Sequence, residues 1–166
     1  MLPQRKLNRI YGADYSSEGY YFVTTCTKYR AKVFGRVNNN EMVLNKFGKI
    51  VEKCWLDLPN HYSNCKLDRF VVMPNHLHGI IIIENFLVLK DENAKLYSLS
   101  EIMRGFKTFS SKRINSINPQ INFQWQRSFY DRVIRSSQEY ENIRNYIANN
   151  PYNWEKDRNN IENLLM

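Results

Sequence analysis

Two histidines one residue apart, His76 and His78, stand in the run Phe-Val-Val-Met-Pro-Asn-His-Leu-His-Gly-Ile-Ile-Ile-Ile at positions 70–83. Side chains on a strand alternate between faces, so both imidazoles project to one side while Leu77 points into a core behind. A lone histidine here would read as a hydrogen-bonded core side chain. Two on one face, among Phe70, Val71, Val72 and Ile80 to Ile83, bury ring nitrogens that need partners. Neutral imidazoles so placed are ready metal ligands.

A second group lies some seventy residues later, on a predicted helix from Ser136 or Ser137 to Asn150. Tyr140, Ile143 and Ile147 fall within about 60° of arc on it, which makes them its core stripe and Tyr140 a packing residue. Tyr146 lies about 90° off that stripe and Asn150 one turn beyond, so phenol and amide stack on its border. Tyr146 reads either as an amphipathic surface tyrosine or as a nucleophile. Beside a bound divalent cation a phenolate can attack a phosphodiester, displace a sugar oxygen and form a phosphotyrosine link. His76, His78 and the amide oxygen of Asn150 would then be three protein ligands, leaving places for phosphate and water, a donor set that suits Mg²⁺ or Mn²⁺.

The elements that must position these groups are legible from pattern. Tyr20 to Thr27 is rich in aromatic and β-branched residues and predicts a first strand, approached through Gly12 and Gly19. Val37 to Met42 surrounds an Asn38-Asn39-Asn40 turn. Leu44, Phe47, Val51, Trp55 and Leu58 recur at helical spacing, predicting a helix from Leu44 to Leu58 closed by Pro59. Lys66 to Met73 and the histidine strand form a hairpin through Pro74 and Asn75. Glu84 to Tyr97 reads as a loop long enough to be disordered. A second helix, capped by Ser98 or Ser100 and running to Ser116, carries Ile102, Phe106 and Phe109 or Ile114 on its apolar face and Arg104, Lys107, Lys112 and Arg113 on the other. Phe123 to Ile134 predicts the fourth strand. The order βαββαβ predicts an α+β, ferredoxin-like (RRM-like) antiparallel sheet with two crossing helices on one face and an appended C-terminal helix carrying the tyrosine.

With 166 residues the chain is expected to be one domain, 1–166, with a core that needs no disulfides. Lys and Arg number 24 against 16 acids, a net charge of +8, which favours an anionic partner, nucleic acid first. Eleven tyrosines add rings able to stack unpaired bases. Cys26, Cys54 and Cys65 are widely spaced, without a Cys-x-x-Cys, so neither a disulfide framework nor a cysteine zinc site is indicated and a reducing cytoplasm fits. Neither an apolar leader nor a membrane-spanning run is present, so a soluble, unexported protein is expected.

Val-Val-Met-Pro-Asn-His-Leu-His-Gly at 71–79 and Arg-Asn-Tyr-Ile-Ala-Asn-Asn-Pro at 144–151 resemble the signature stretches of the REP-associated tyrosine transposases, within the single-tyrosine HUH transposase superfamily. Residues 14–24, Gly105-Phe106-Lys107 and the segment Trp125 to Asp131 resemble the same family, so the likeness spans nearly the whole chain. The resemblance implies that His76 and His78 are metal ligands, that Tyr146 is the nucleophile, and that Asn150 completes the metal site. The wider superfamily often carries glutamine or histidine there, one methylene longer or a ring. It further implies cleavage and rejoining of single-stranded DNA near palindromic hairpins, through a 5′-phosphotyrosine intermediate and a free 3′-hydroxyl, with no nucleotide cofactor. Lys107, Arg127, Arg132 and Arg135 are candidate phosphate contacts, or simply surface charges. The partner expected is thus single-stranded DNA with a hairpin and no membrane, the protein acting as monomer or homodimer with its site built in cis or in trans.

Two other readings compete. An RRM-like module would bind single strands by stacking bases on Tyr21 and Phe22 without chemistry, and leaves the histidine pair unexplained. A hydrolase with a water nucleophile would want further ligands, and only His61 remains unplaced.

Overall fold

The computed structural model describes residues 18–85 and 93–159. Most of the chain's lead and residues 86–92 of the expected Glu84–Tyr97 loop lie outside them. Four strands build the main sheet: β1 (Gly19–Cys26), β4 (Cys65–Met73), β5 (His76–Ile83) and β6 (Tyr130–Ile134), in the order β4-β5-β1-β6 and antiparallel throughout. Counting only sheet strands, that is the ferredoxin-like order, as expected. A separate hairpin, β2 (Gly35–Asn38) and β3 (Glu41–Leu44), follows β1. Asn39 and Asn40 turn it with φ of 49° and 62°, the left-handed pair that a two-residue hairpin demands and asparagine tolerates. Pattern reading recovered this turn but not its two short strands.

Register sorts the sheet's residues between two faces. Tyr21, Val23, Leu77, Ile81 and Ile83 bury against α1 (Lys46–Leu56) and α3 (Leu99–Ile117). On the other face Phe22, Ile80 and Ile134 pack on Ile147 of α4 (Ser137–Ala148), with Tyr140 and Ile143 beside them. Tyr140 is thus the packing residue its stripe predicts. Its hydroxyl donates to Asp68 (2.5 Å), and Arg144 pairs with the same carboxylate at 3.1 Å, fastening α4 across β4. Asp68 sits where the β4–β5 register slips between Leu67 and Phe70, a bulge that re-aims a side chain.

Caps explain the helix starts. Asn45 accepts from the backbone N–H groups of Phe47 and Gly48, so α1 begins at Lys46 and leaves Leu44 in β3, two residues later than periodicity suggests. Pro59 does not close that helix; it stands in the first turn of a short α2 (Leu58–His61), where a missing N–H costs nothing. Ser98 and Glu101 form a full capping box for α3, and Ser136 caps α4.

The fourth strand is shorter than composition predicts. Only Tyr130–Ile134 pairs with β1, while Thr27 makes an isolated bridge to Trp125. Phe123, Trp125 and Phe129 plug the core instead: Trp125 packs against Phe34 and Phe106, and its indole N–H donates to Ser110 Oγ at 2.9 Å. The three cysteines are free. Among the described residues no helix is long and apolar enough to cross a membrane.

Candidate metal and tyrosine site

The α4 face of the sheet carries the histidines. In β1–β5 register Thr24 stands opposite His78 and Cys26 opposite His76, which puts both imidazoles on the side that Phe22 and Ile80 share with α4. Leu77 goes to the other core, as alternation requires. Gly79 follows because Trp55 of α1 presses on the strand there: a Cβ at Gly79 would lie 2.4 Å from the indole. Indole and histidine strand thus meet at backbone distance, fixing the strand from behind.

Both rings are almost wholly buried, His76 at 0% and His78 at 1% exposure, and their Nε2 atoms converge to 3.0 Å. The far nitrogens are held by neighbours. Asn75 spends its amide N–H groups on the carbonyls of Arg30 (3.0 Å) and Asn159 (2.6 Å), so its Oδ1 must accept from His76 Nδ1 at 2.8 Å. His76 therefore presents an Nε2 lone pair. Thr24 Oγ1 lies 2.6 Å from His78 Nδ1. A hydroxyl donates or accepts, so His78 can keep a proton between the two Nε2 atoms or carry it on Nδ1 and offer a second lone pair. Burial holds both imidazoles neutral: it is the main cause lowering His76 to about 4 and His78 well below the ordinary value, where the neighbouring His76 adds repulsion.

Oxygen donors close around this pair. Asp157, buried, places Oδ2 3.7 Å from His76 Nε2, and ligand atoms of His76, His78 and Asp157 all lie within 4.8 Å of one another. Asn150, 2% exposed, has an Oδ1 without a hydrogen-bond donor among the described residues, and its side chain is close enough to His76 and Tyr146 to bias the ionisation of both. A buried orphan oxygen beside two converging imidazole nitrogens and a carboxylate is a donor set that could hold a metal ion.

Tyr146 completes the arrangement. Its hydroxyl is 3.5 Å from His78 Nε2 and its ring packs edge-on against His78 and Phe22, yet the residue stays 44% exposed. Burial, and then the charge of Asp157, raise its phenol above the ordinary value, with Asn150 opposing. The sequence-predicted set His76, His78, Tyr146 and Asn150 is brought together. Sequence reasoning missed Asp157, Thr24 and Asn75, and also Trp154, whose ring stacks on His76. The Pro-Asn turn was visible in the sequence, but the register that pairs Thr24 with His78 was not.

The basic candidates fare differently. Lys107 donates to the backbone carbonyls of Gln126 (2.8 Å) and Ser128 (3.2 Å), a strut under the chain leading to β6. Arg127, Arg132 and Arg135 are exposed, and Arg132 pairs with Glu139. Since Arg132 registers opposite Phe22 and Tyr130 opposite Thr24, both lie on the histidine face. His61 is exposed and paired with Asp57 at 2.8 Å, away from this centre.

A family model for IS200-like transposases matches residues 15–150. A protein of Haemophilus influenzae, described as uncharacterized, is 37% identical, the alignment covering 93% of this chain and 92% of that one. Among solved structures, a REP-associated tyrosine transposase bound to a REP hairpin superposes with a TM-score of 0.58 at 20% identity, over 87% of this chain and 73% of the other. A proposed transposase from Deinococcus radiodurans superposes with a TM-score of 0.52 at 18% identity, over 85% and 97%. At those identities the two structures speak for the fold.

Proposed function

Because the chain belongs to the IS200-like transposase family, we propose that it cuts and rejoins single-stranded DNA through a 5′-phosphotyrosine link, with Tyr146 as the nucleophile, in one catalytic domain. The observation that carries this reading is the position of the Tyr146 hydroxyl, 3.5 Å from one of two imidazole nitrogens that converge on a shared point. His76, His78, Asp157 and the orphan Oδ1 of Asn150 would hold a divalent cation. When bound, that cation supplies positive charge to the non-bridging oxygens of the scissile phosphate.

The residues themselves do the rest. The Tyr146 hydroxyl gives up its proton as its oxygen attacks phosphorus; a P–O bond to tyrosine forms, the bond to the 3′ oxygen of the leaving strand breaks, and that oxygen takes up a proton and leaves as a hydroxyl. Rejoining is the reverse, with a 3′-hydroxyl displacing the tyrosine oxygen, so phosphodiester energy is stored in the covalent link. Phe22 and His78 hold the phenol ring from two sides, and the Asp68 contacts of Tyr140 and Arg144 hold the helix that carries it. Such positioning turns attack into a local step. Arg132 and Arg135 suit the flanking phosphates. The substrate we favour is a single strand beside a palindromic hairpin, in keeping with the hairpin held by the REP-associated relative of the same fold.

The reading is tested by incubating the protein with Mg²⁺ or Mn²⁺ and labelled hairpin-bearing single-stranded oligonucleotides. A denaturation-resistant protein–DNA adduct is expected, abolished by Tyr146→Phe and by chelation. Cleavage without an adduct would indicate a water nucleophile instead.

A further inference from the structure

The loop after β1, Lys-Tyr-Arg-Ala-Lys at 28–32, has no part in the chemistry above. Its backbone is unusual. Tyr29 and Arg30 have φ of 59° and 54°, two successive non-glycine residues in the left-handed region, a conformation an L-residue adopts only under constraint. The constraints are visible: Lys28 N–H donates to the Gln124 carbonyl (2.9 Å), Arg30 N–H to the Thr27 carbonyl (3.0 Å), and Thr27 Oγ1 to the Ala31 carbonyl (2.8 Å).

None of this buries the Tyr29 ring. The residue is 81% exposed, more than any other exposed large hydrophobic among the described residues. Lys28 Nζ sits 5.3 Å from the ring centroid. Beside it opens a cavity of about 240 Å³, lined by Tyr29, Lys28, Ala31, Ile121, Phe123 and Gln124, space on the scale of one base rather than a duplex. The loop is also wired to the metal and tyrosine site. Asn75, which orients His76, donates to the Arg30 carbonyl, and Arg30 reaches on to the Arg158 carbonyl (3.0 Å) next to Asp157.

A large ring held out in water, at the expense of backbone strain and beside a cation, has a use when something flat and anionic lands on it. We propose that Tyr29 is a stacking platform for an unpaired nucleobase of the DNA strand that enters the site, with Lys28 facing the adjoining phosphate. This rests on the single-stranded DNA reading above and adds a base-binding subsite to it. Stacking of this kind tolerates any base and contributes at least about five-fold to affinity.

Tyr29→Ala, Tyr29→Gly and Tyr29→Phe would be compared with the unaltered protein. The probes are labelled oligo(dT) and hairpin oligonucleotides carrying 2-aminopurine at successive positions of the single-stranded flank. Tyr29→Phe should keep affinity and quench 2-aminopurine at one position, whereas the alanine and glycine variants should bind at least about five-fold more weakly and lose that quenching. Glycine adopts the left-handed backbone freely, so Tyr29→Gly should melt no lower than the unaltered protein while binding worse. Unchanged affinity and quenching in the alanine and glycine variants would overturn the proposal. So would a Tyr29→Gly protein that loses both stability and binding, which would make the ring a structural prop. The same oligonucleotides separate the two readings. Tyr29-dependent quenching without any adduct removes the nuclease but keeps the platform; an adduct formed equally well without Tyr29 removes the platform but keeps the nuclease.

Discussion

Thr24 and Thr25 are neighbours on β1 whose hydroxyls have opposite fates, and replacing each by valine isolates what holds His78. Valine keeps the β-branch that strand and packing require. At position 24 it removes the oxygen 2.6 Å from His78 Nδ1, inside a site where that ring is 1% exposed. No water reaches the nitrogen left behind. An unsatisfied buried polar group costs about 1–3 kcal/mol. At about 2–4 °C per kcal/mol for a chain of this size, the melting temperature should fall by roughly 2–12 °C. The cost to the cation site is separate. To offer Nε2 as a ligand, His78 must carry its proton on Nδ1, and without Thr24 that proton has no acceptor. Loss of such a supporting hydrogen bond weakens metal affinity about 10–100-fold. Thr25 provides the control: its hydroxyl is buried on the opposite face with no hydrogen-bond partner among the described residues, so Thr25→Val should leave stability and Mn²⁺ affinity unchanged or slightly improve stability. Thermal melts with EDTA and calorimetric Mn²⁺ titration read both effects. A Thr24→Val protein that melts and binds Mn²⁺ like the unaltered chain would refute the assignment of Thr24 as the support of His78.

Three other outcomes follow from the geometry. Burial lowers both histidines from the ordinary 6.5, His76 to about 4; below pH 6.5 the unfolded chain takes up protons that the folded chain refuses, so metal-free stability should be full above that value and decline as pH falls towards 4. Urea titrations in EDTA across that range check it, and a flat profile would contradict it. Gly79→Ala places a Cβ 2.4 Å from the Trp55 indole and should destabilise by about 1–3 kcal/mol, with partial recovery in a Trp55→Phe background, measured by denaturant unfolding. Tyr146 lies against the His78 of its own chain, so an inactive Tyr146→Phe protein mixed with an inactive His78→Ala protein should form no adduct; recovered activity would mean a site shared between two copies.

His76, His78 and Tyr146 were legible because each lies on a regular element, and Asn150 because it follows closely: α4 ends at Ala148, two residues short of the helix expected to Asn150, and Asn150 sits in the turn just beyond it. Strand alternation alone put His76 and His78 on one face, and helical arc alone separated Tyr140 from Tyr146. Thr24 was missed because strand register is not written in periodicity, and the other missed residues lie where periodicity fails. Asp157 follows Pro151 and the short turn Trp154–Lys156, a lone acid in irregular chain that only tertiary folding carries back to His76. Phe123 and Trp125 read as strand because aromatic residues suit any half-buried surface, and here that surface is the core beneath α3 rather than a sheet ladder. Lys107 looked like a solvated cation on a polar helix face, but the chain after Trp125 passes within reach of its ammonium and presents carbonyls to it. Charge counting does not distinguish such a strut from a phosphate contact.

In the proposed reaction Tyr146 becomes covalently bonded to DNA. The most direct test of that bond is proteolysis of the adduct made with Mn²⁺ and a hairpin oligonucleotide, followed by mass spectrometry of the nucleotide-bearing peptide. With trypsin the expected peptide runs from Asn145 to Lys156, with the added phosphate ester on Tyr146. Attachment at Tyr140, Tyr29 or any other residue, or an adduct that survives Tyr146→Phe, would contradict it.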